Sequence, residues 1–385
     1  MKYIVILGDG MADRPIPSLG HRTPLEVANK PTIDFLSQRS EVGLVQTVPL
    51  ELPAGSDVAN LSVLGYDPEV YYSGRSPLEA ASMHVSLLDT DTTFRANLVT
   101  LSDEEDYASK TMISYSASEV ATPEAALIIQ ALKPLIDTDL ISLHAGISYR
   151  HLLLHHNYGD DTPLTPPHDI SGKKIREFLP QNEELLAIMK KSHELLKDYP
   201  SKANSLWLWG QGTKPQLTSY EEKFGVKASV ISAVDLIKGI GVCSEMNIIE
   251  VPGATGDIDT NFDGKASAAI QSFKDGYDFV YLHVEAPDEC GHRFETDNKI
   301  KAIEAIDNKI VKPIYEWLKT CGDDYKILIL PDHATPIEIG THCHDVVPYM
   351  IYDSRKELSG VNYTEKDAKN LFSEQGHKLM QYFLG

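Results

Sequence analysis

Short apolar runs rich in valine and isoleucine alternate along this chain with stretches of helical periodicity. That alternation predicts βαβ units and an α/β fold, a mostly parallel sheet flanked by helices. The predicted strands are Tyr3 to Leu7, Ala228 to Ser232, Asn247 to Val251, Phe279 to Val284, Lys326 to Leu330 and Val346 to Tyr352. One lies at the extreme N-terminus and the others in the last 160 or so residues. The first strand needs the later ones as neighbours, so the pattern predicts a main domain, 1–84 with 211–385, interrupted by an inserted smaller α/β domain, 85–210. The insertion differs in texture, with an acidic turn at Ser102 to Asp106 and a histidine-rich patch. The segment PSKANSLWLWGQGTKP reads as the return linker, although its WLW also reads as a buried strand-like run.

Polar residues at the strand ends change the picture. Asp9 follows the first strand, Asp288 and His292 lie just beyond Phe279 to Val284, Asp332 and His333 follow Lys326 to Leu330, and His342 precedes the last strand. In open parallel sheets the C-terminal strand ends line the ligand crevice, where groups distant in sequence meet. Carboxylate oxygens with imidazole nitrogens suit Zn²⁺ or Mn²⁺, whereas a magnesium-only site is richer in oxygen. The plain alternative is that Asp and His populate polar loops. The recurrence of DxxxH, DH and HxH after strands favours a metal site.

Composition narrows the chemistry further. At 385 residues, with 42% hydrophobic and 24% charged positions, the chain is long enough for two packed domains. Lys and Arg number 35 against 56 Asp and Glu, a formal charge of −21, which opposes a sequence-independent grip on nucleic acid or an anionic membrane. No apolar run reaches the length of a membrane span and the N-terminal apolar stretch is too short for a signal peptide, so the expectation is a cytoplasmic protein. The four cysteines, Cys243, Cys290, Cys321 and Cys343, lack paired spacing and read as reduced thiols.

Ser56, in LPAGSDVANLSVLGYDP, precedes a helical stretch. It reads either as a helix N-cap or as a nucleophile at a helix N-terminus that favours an anionic phosphate. One decoy stands out. DTNFDGKASAAI places Asp259, Asn261, Asp263 and Gly264 as in half a calcium loop, but its twelfth position is Ile270 in place of a bidentate Glu.

The segments ILGDGMADRP, PAGSDVANLSVLGYDP, GRSPLEA, VPGATGDIDTN, HVEAPDECGH, PDHATP and His342 to Pro348 occur in the order found in archaeal-type cofactor-independent phosphoglycerate mutases, members of the alkaline phosphatase superfamily. The chain resembles that family over essentially its whole length. The resemblance implies an alkaline-phosphatase-like catalytic domain, an inserted substrate-clamping domain and interconversion of 3- and 2-phosphoglycerate through a phosphoserine at Ser56. It also implies two divalent metals, Mn²⁺ first with Zn²⁺, Mg²⁺ or Co²⁺ as alternatives. Asp9, Ser56, Asp332 and His333 would hold one; Asp288, His292 and His342 would hold the other, with His344 the alternative to His342. Arg75, Arg150, His151 and Lys238 are the candidates to receive a small phosphorylated substrate, whereas His155 and His156 read as structural. Homo-oligomerisation is left open.

Three positions depart from the family pattern. Trp209-Gly210 stands where an Arg-Gly pair is typical, Arg293 where Asp is common, and Val346 where the first Pro of DPVP falls. These changes resemble a bacterial branch proposed to phosphorylate homoserine, which keeps a homoserine kinase-like phosphotransferase as the second reading and a non-catalytic metal-binding scaffold as the third.

Overall fold

The computed structural model describes residues 1–159, 164–372 and 375–385. The chain divides into two compact units, Met1–Tyr72 with Gln216–Gly385, and Ser73–Pro215.

The first unit is built on a seven-stranded sheet. In chain order its strands are β1 (Lys2–Gly8), β2 (Glu41–Val45), β8 (Ala228–Ile231), β9 (Asn247–Ile249), β10 (Phe279–Val284), β11 (Tyr325–Leu330) and β12 (Val347–Asp353). Their order across the sheet is β2-β12-β11-β1-β10-β8-β9. β1 is parallel to both β10 and β11, with Tyr3 opposite Phe279 and Lys2 opposite Tyr325. β10, β8 and β9 continue in parallel, whereas β12 and β2 run antiparallel at the other edge. A strand buried on both faces is mostly apolar, as β10 and β11 are, with His283 and Lys326 the charged or titratable exceptions apart from tyrosine. Ile4, Ile6, Val280, Leu282, Ile327 and Ile329 share one core cluster with Phe262, Ala266, Ala269, Ile303 and Ile306 from covering helices.

The second unit contains a separate sheet of β3 (Asp91–Leu101), β4 (Met112–Ser114), β5 (Ile141–His144), β6 (Arg150–His156) and β7 (Ser205–Thr213). Every pairing in it is antiparallel, and β3 lies between β6 and β7. The helices Thr122–Ile136 and Glu183–Leu196 contribute Ile128, Leu132, Leu185 and Met189 to the core beneath it. The WLW segment belongs to β7, not to a connection: Trp207, Leu208 and Trp209 pair with Asn97, Ala96 and Arg95 of β3. No helix among the described residues is long and apolar enough to cross a membrane.

Candidate metal and phosphoryl-transfer centre

Three parallel strands end side by side and deliver the polar residues of the first unit. Asp9 follows β1, and its backbone N–H donates to the Val284 carbonyl at the end of β10 at 2.9 Å. Asp288 and His292 lie one turn apart on the helix Ala286–His292 that follows β10. Asp332 and His333 follow β11 directly.

These side chains gather into two groups of convergent ligand atoms, Asp9 with Asp332 and His333, and Asp288 with His292 and His342. The groups are neighbours: the His333 and His342 rings lie 4.0 Å apart between centroids. Thr335 joins them, donating its hydroxyl to Asp288 Oδ1 and lying 3.2 Å from His333 Nδ1. Because that hydroxyl hydrogen is committed to a carboxylate, Thr335 Oγ1 accepts from His333 Nδ1–H. His333 Nε2 is thereby left with its lone pair facing the site.

Several features fit the residues to divalent cations. Asp9 Oδ1 is buried with no hydrogen-bond partner, and His333 Nε2 is 3.5 Å away. His292 Nδ1 lies 2.9 Å from the Gly340 carbonyl and His342 Nδ1 3.0 Å from the Ala54 carbonyl, so each ring donates there and turns Nε2 inward. The two Nε2 atoms then face one another at 3.0 Å, an arrangement a shared cation satisfies. Burial, then the charges of Asp332 and Asp288, raise the Asp9 carboxyl well above its ordinary range. Burial also pushes Asp288 upward, but its close contacts with His292 and His342 outweigh it and hold that group well below the usual carboxylate range. Three buried carboxylates with inward-facing imidazoles form a donor set for metal, not a hydrophobic core.

Ser56 begins the helix Ser56–Val63, whose N-cap is Gly55. Its hydroxyl caps nothing and instead lies 3.0 Å from His333 Nε2. Since that nitrogen carries a lone pair, Ser56 Oγ–H donates to it. Four residues on, Asn60 donates to the Ser56 carbonyl at 2.8 Å and to Asp332 Oδ2 at 2.7 Å, while the Tyr281 hydroxyl donates to Asn60 Oδ1 at 2.5 Å. Sequence reasoning missed Asn60, Tyr281, His283 and Thr335. The available signal was FVYLHV, in which Tyr281 and His283 alternate on one face of an otherwise apolar strand.

The other sequence candidates have contacts of their own. His344 Nε2 pairs with the Leu52 carbonyl at 2.8 Å and belongs to neither group. Lys238 donates to both Glu250 oxygens at 3.0 and 3.2 Å. Arg75, Arg150 and His151 belong to the second unit. There Arg75 Nε and Arg95 Nε both meet Glu79, at 3.2 and 3.0 Å. Arg150 is exposed, with its guanidinium over the Tyr149 ring. His151 is buried and its Nδ1 accepts from the Gly146 N–H at 3.0 Å, leaving Nε2–H a buried donor without a partner. Burial pushes its pKa down to about 4, so this ring stays neutral. His155 and His156 pair with Glu184 and Asp91. Asn261 caps the helix Phe262–Lys274 by accepting from the Gly264 N–H, so the calcium-loop decoy is a helix start.

A mostly parallel sheet presents a serine hydroxyl beside two clusters of carboxylate and imidazole ligands, an arrangement chemically suited to metal-dependent phosphoryl transfer. The profile of the 2,3-bisphosphoglycerate-independent phosphoglycerate mutases matches residues 37–202. A 2,3-bisphosphoglycerate-independent phosphoglycerate mutase of Methanosarcina barkeri is 47% identical, with 98% of this chain and 95% of that protein covered. A probable enzyme of the same name from Geobacter sulfurreducens is 45% identical over all of both chains. The solved structure of a Pyrococcus horikoshii protein superposes with a TM-score of 0.78 at 27% identity, covering 100% of this chain and 96% of that one. This chain belongs to the 2,3-bisphosphoglycerate-independent phosphoglycerate mutase family.

Proposed function

We propose that this chain interconverts 3-phosphoglycerate and 2-phosphoglycerate with Ser56 as the phosphoryl carrier. The observation that carries the assignment of Ser56 is its hydroxyl, free of any capping role and hydrogen-bonded to His333 Nε2 beside the Asp9 and Asp332 carboxylates. Asp9, Ser56, Asp332 and His333 would hold one divalent ion, and Asp288, His292 and His342 the other. Mn²⁺ suits this mixture of carboxylate, hydroxyl and imidazole. When bound, the ions would lower the hydroxyl pKa and neutralise the phosphoryl oxygens.

Ser56 Oγ loses its proton and attacks phosphorus, the bond from phosphorus to the C3 oxygen breaks, and the electron pair leaves with glycerate, which takes up a proton. In the second half, the glycerate 2-hydroxyl gives up its proton and attacks the phosphoserine phosphorus, the bond from phosphorus to Ser56 Oγ breaks, and its electron pair stays on Oγ, which takes up a proton. The helix N-terminus at Ser56 favours the anionic group throughout. Asn60 and Tyr281 keep Asp332 in place, and Thr335 fixes the ring orientation of His333.

The test is to mix metal-loaded enzyme with 3-phosphoglycerate, quench in acid and map phosphate by peptide mass spectrometry. Phosphate on the peptide containing Ser56, together with 2-phosphoglycerate in solution, is the expected result. Undiminished turnover in Ser56→Ala would sink the assignment.

A further inference from the structure

The two carboxylate oxygens of Asp9 are treated differently by the fold. Oδ1 is buried without a partner, whereas Oδ2 lies 2.9 Å from His283 Nε2. His283 is fully buried in β10, opposite Leu7 of β1, which brings its ring beside the residue that follows β1. On the far side of the ring, Nδ1 is 3.2 Å from Ser232 Oγ. Ser232 follows β8, the neighbour of β10 in the sheet. Its hydroxyl oxygen accepts from the Val234 backbone N–H at 3.0 Å. From the helix Phe262–Lys274, Lys265 Nζ donates to the His283 carbonyl at 2.9 Å and anchors the backbone at the same residue.

With Asp9 ionised, as a metal ligand is, donation through this chain has one satisfactory direction. The Val234 N–H fills one lone pair of Ser232 Oγ, the hydroxyl hydrogen goes to His283 Nδ1, and Nε2 carries the ring proton to Asp9 Oδ2. The other neutral tautomer would set the Nε2 lone pair against a carboxylate oxygen in a buried site, acceptor against acceptor.

We propose that His283, oriented by Ser232, is a positioning residue that holds one oxygen of Asp9 so that the other is presented to the divalent ion at the Asp9, Asp332 and His333 group. The terminal torsion of an aspartate is broad, so an unrestrained carboxylate would rotate away from the position the ion requires. The inference rests on the reading of that group as a metal site. It predicts an effect on one ion only, because Asp288, His292 and His342 take their orientation from Thr335, Gly340 and Ala54.

The test is Mn²⁺ titration of chelator-treated full-length protein by calorimetry, with bound metal counted by elemental analysis, for the wild type, His283→Leu, His283→Gln and Ser232→Ala. Removing an outer hydrogen-bond partner of a metal ligand typically weakens binding about 10–100-fold. His283→Leu should therefore lose that much affinity for one ion and keep the affinity of the other. His283→Gln, whose amide N–H replaces Nε2–H, should recover most of the loss, and Ser232→Ala should fall between them. Melting curves of the metal-free proteins report folding separately. If His283→Leu does not fold, Ser232→Ala decides: weakened binding of one ion supports the proposal. Wild-type affinity for both ions in either folded variant, or equal loss of both, overturns it. A wild-type protein that binds no divalent ion would instead refute the underlying metal-site reading.

Discussion

Replacing Trp209 with arginine, the residue that the resemblance leads one to expect there, should damage the protein. The Trp209 indole is 9% exposed and belongs to the core of the second unit. Its Nε1–H donates to Asn97 Oδ1 at 3.0 Å, and the guanidinium of Arg95, its cross-strand partner, lies 4.4 Å from the ring centroid. Loss of a buried tryptophan costs about 3–5 kcal/mol. Loss of the cation–π contact removes about 0.5–2 kcal/mol, and an arginine there would face Arg95 directly across the strands. A new guanidinium donating to Asn97 Oδ1 returns about 1 kcal/mol. The net loss is about 2.5–6 kcal/mol, which at about 2–4 °C per kcal/mol lowers the melting temperature by on the order of 10 °C. Thermal melts of full-length protein beside kcat/KM for 3-phosphoglycerate would measure both effects. Trp209→Phe, which keeps an aromatic face for Arg95 but loses the N–H and part of the indole's buried volume, should cost less, about 1–3 kcal/mol. A Trp209→Arg protein with wild-type melting and a kcat/KM about tenfold higher, about 1.4 kcal/mol in transition-state binding, would show that the position faces substrate instead of core.

Chelator-treated protein should melt at a higher temperature when Mn²⁺ is added, each site contributing about 2.7 kcal/mol at a hundredfold excess over its Kd. Asp288→Ala and Asp332→Ala should each abolish turnover, and an absent melting shift in the wild type would contradict the two-ion assignment. Burial raises the Glu365 carboxyl from 4.5 to about 7 despite donation from Thr23 and the Asp13 N–H. The folded protein therefore keeps this proton where the unfolded chain has released it, so stability falls as pH rises from 4.5 to 7 by on the order of 2 kcal/mol. Glu365→Gln should flatten that slope in urea melts across pH 5 to 8, and an unchanged slope would exclude Glu365 as its source. Arg293→Asp would place a fourth carboxylate among Asp257, Glu289 and Glu295, each of which Arg293 now meets within 3.5 Å. The pairs are largely exposed, so the stability cost should stay near about 1 kcal/mol, while amide exchange across Val251 to Thr260 accelerates; unaltered exchange would show that Arg293 does not restrain this loop.

The sheet of the first unit was legible because its strands are buried on both faces, so FVYLHV and KILIL leave no ambiguity of side. β2 escaped notice: EVGLV is a short edge strand, with a glycine at Gly43 and only two buried residues. In the second unit, β3 carries Thr92, Thr93, Arg95 and Asn97 buried among its apolar residues, so polarity mimicked a loop where tertiary packing made a central strand. At the centre, Asp9, Asp288, His292, Asp332, His333 and His342 were visible as strand-end polar residues. The choice between nucleophile and cap for Ser56 was not, because it depends on Gly55 being the N-cap and on His333, 277 positions away, receiving the hydroxyl. Residues such as Asn60 and Ser232 act by hydrogen bonds to ligands or to their partners, and nothing in local spacing marks such a role.

The central position of β1 has a consequence for synthesis. Tyr3 leaves the ribosome long before its partner Phe279 and the whole of β11. At roughly 5–20 residues per second, the interval lasts on the order of tens of seconds. Throughout it, Ile4 to Leu7 have no sheet to enter and form an apolar, unpaired strand of the kind that invites aggregation or chaperone binding. The contiguous Ser73–Pro215 unit has all its strands in hand before translation ends. The last metal-ligand candidate, His342, emerges later still, so the full set of candidate ligands assembles only after β11 has been made and cannot guide the first stages of folding.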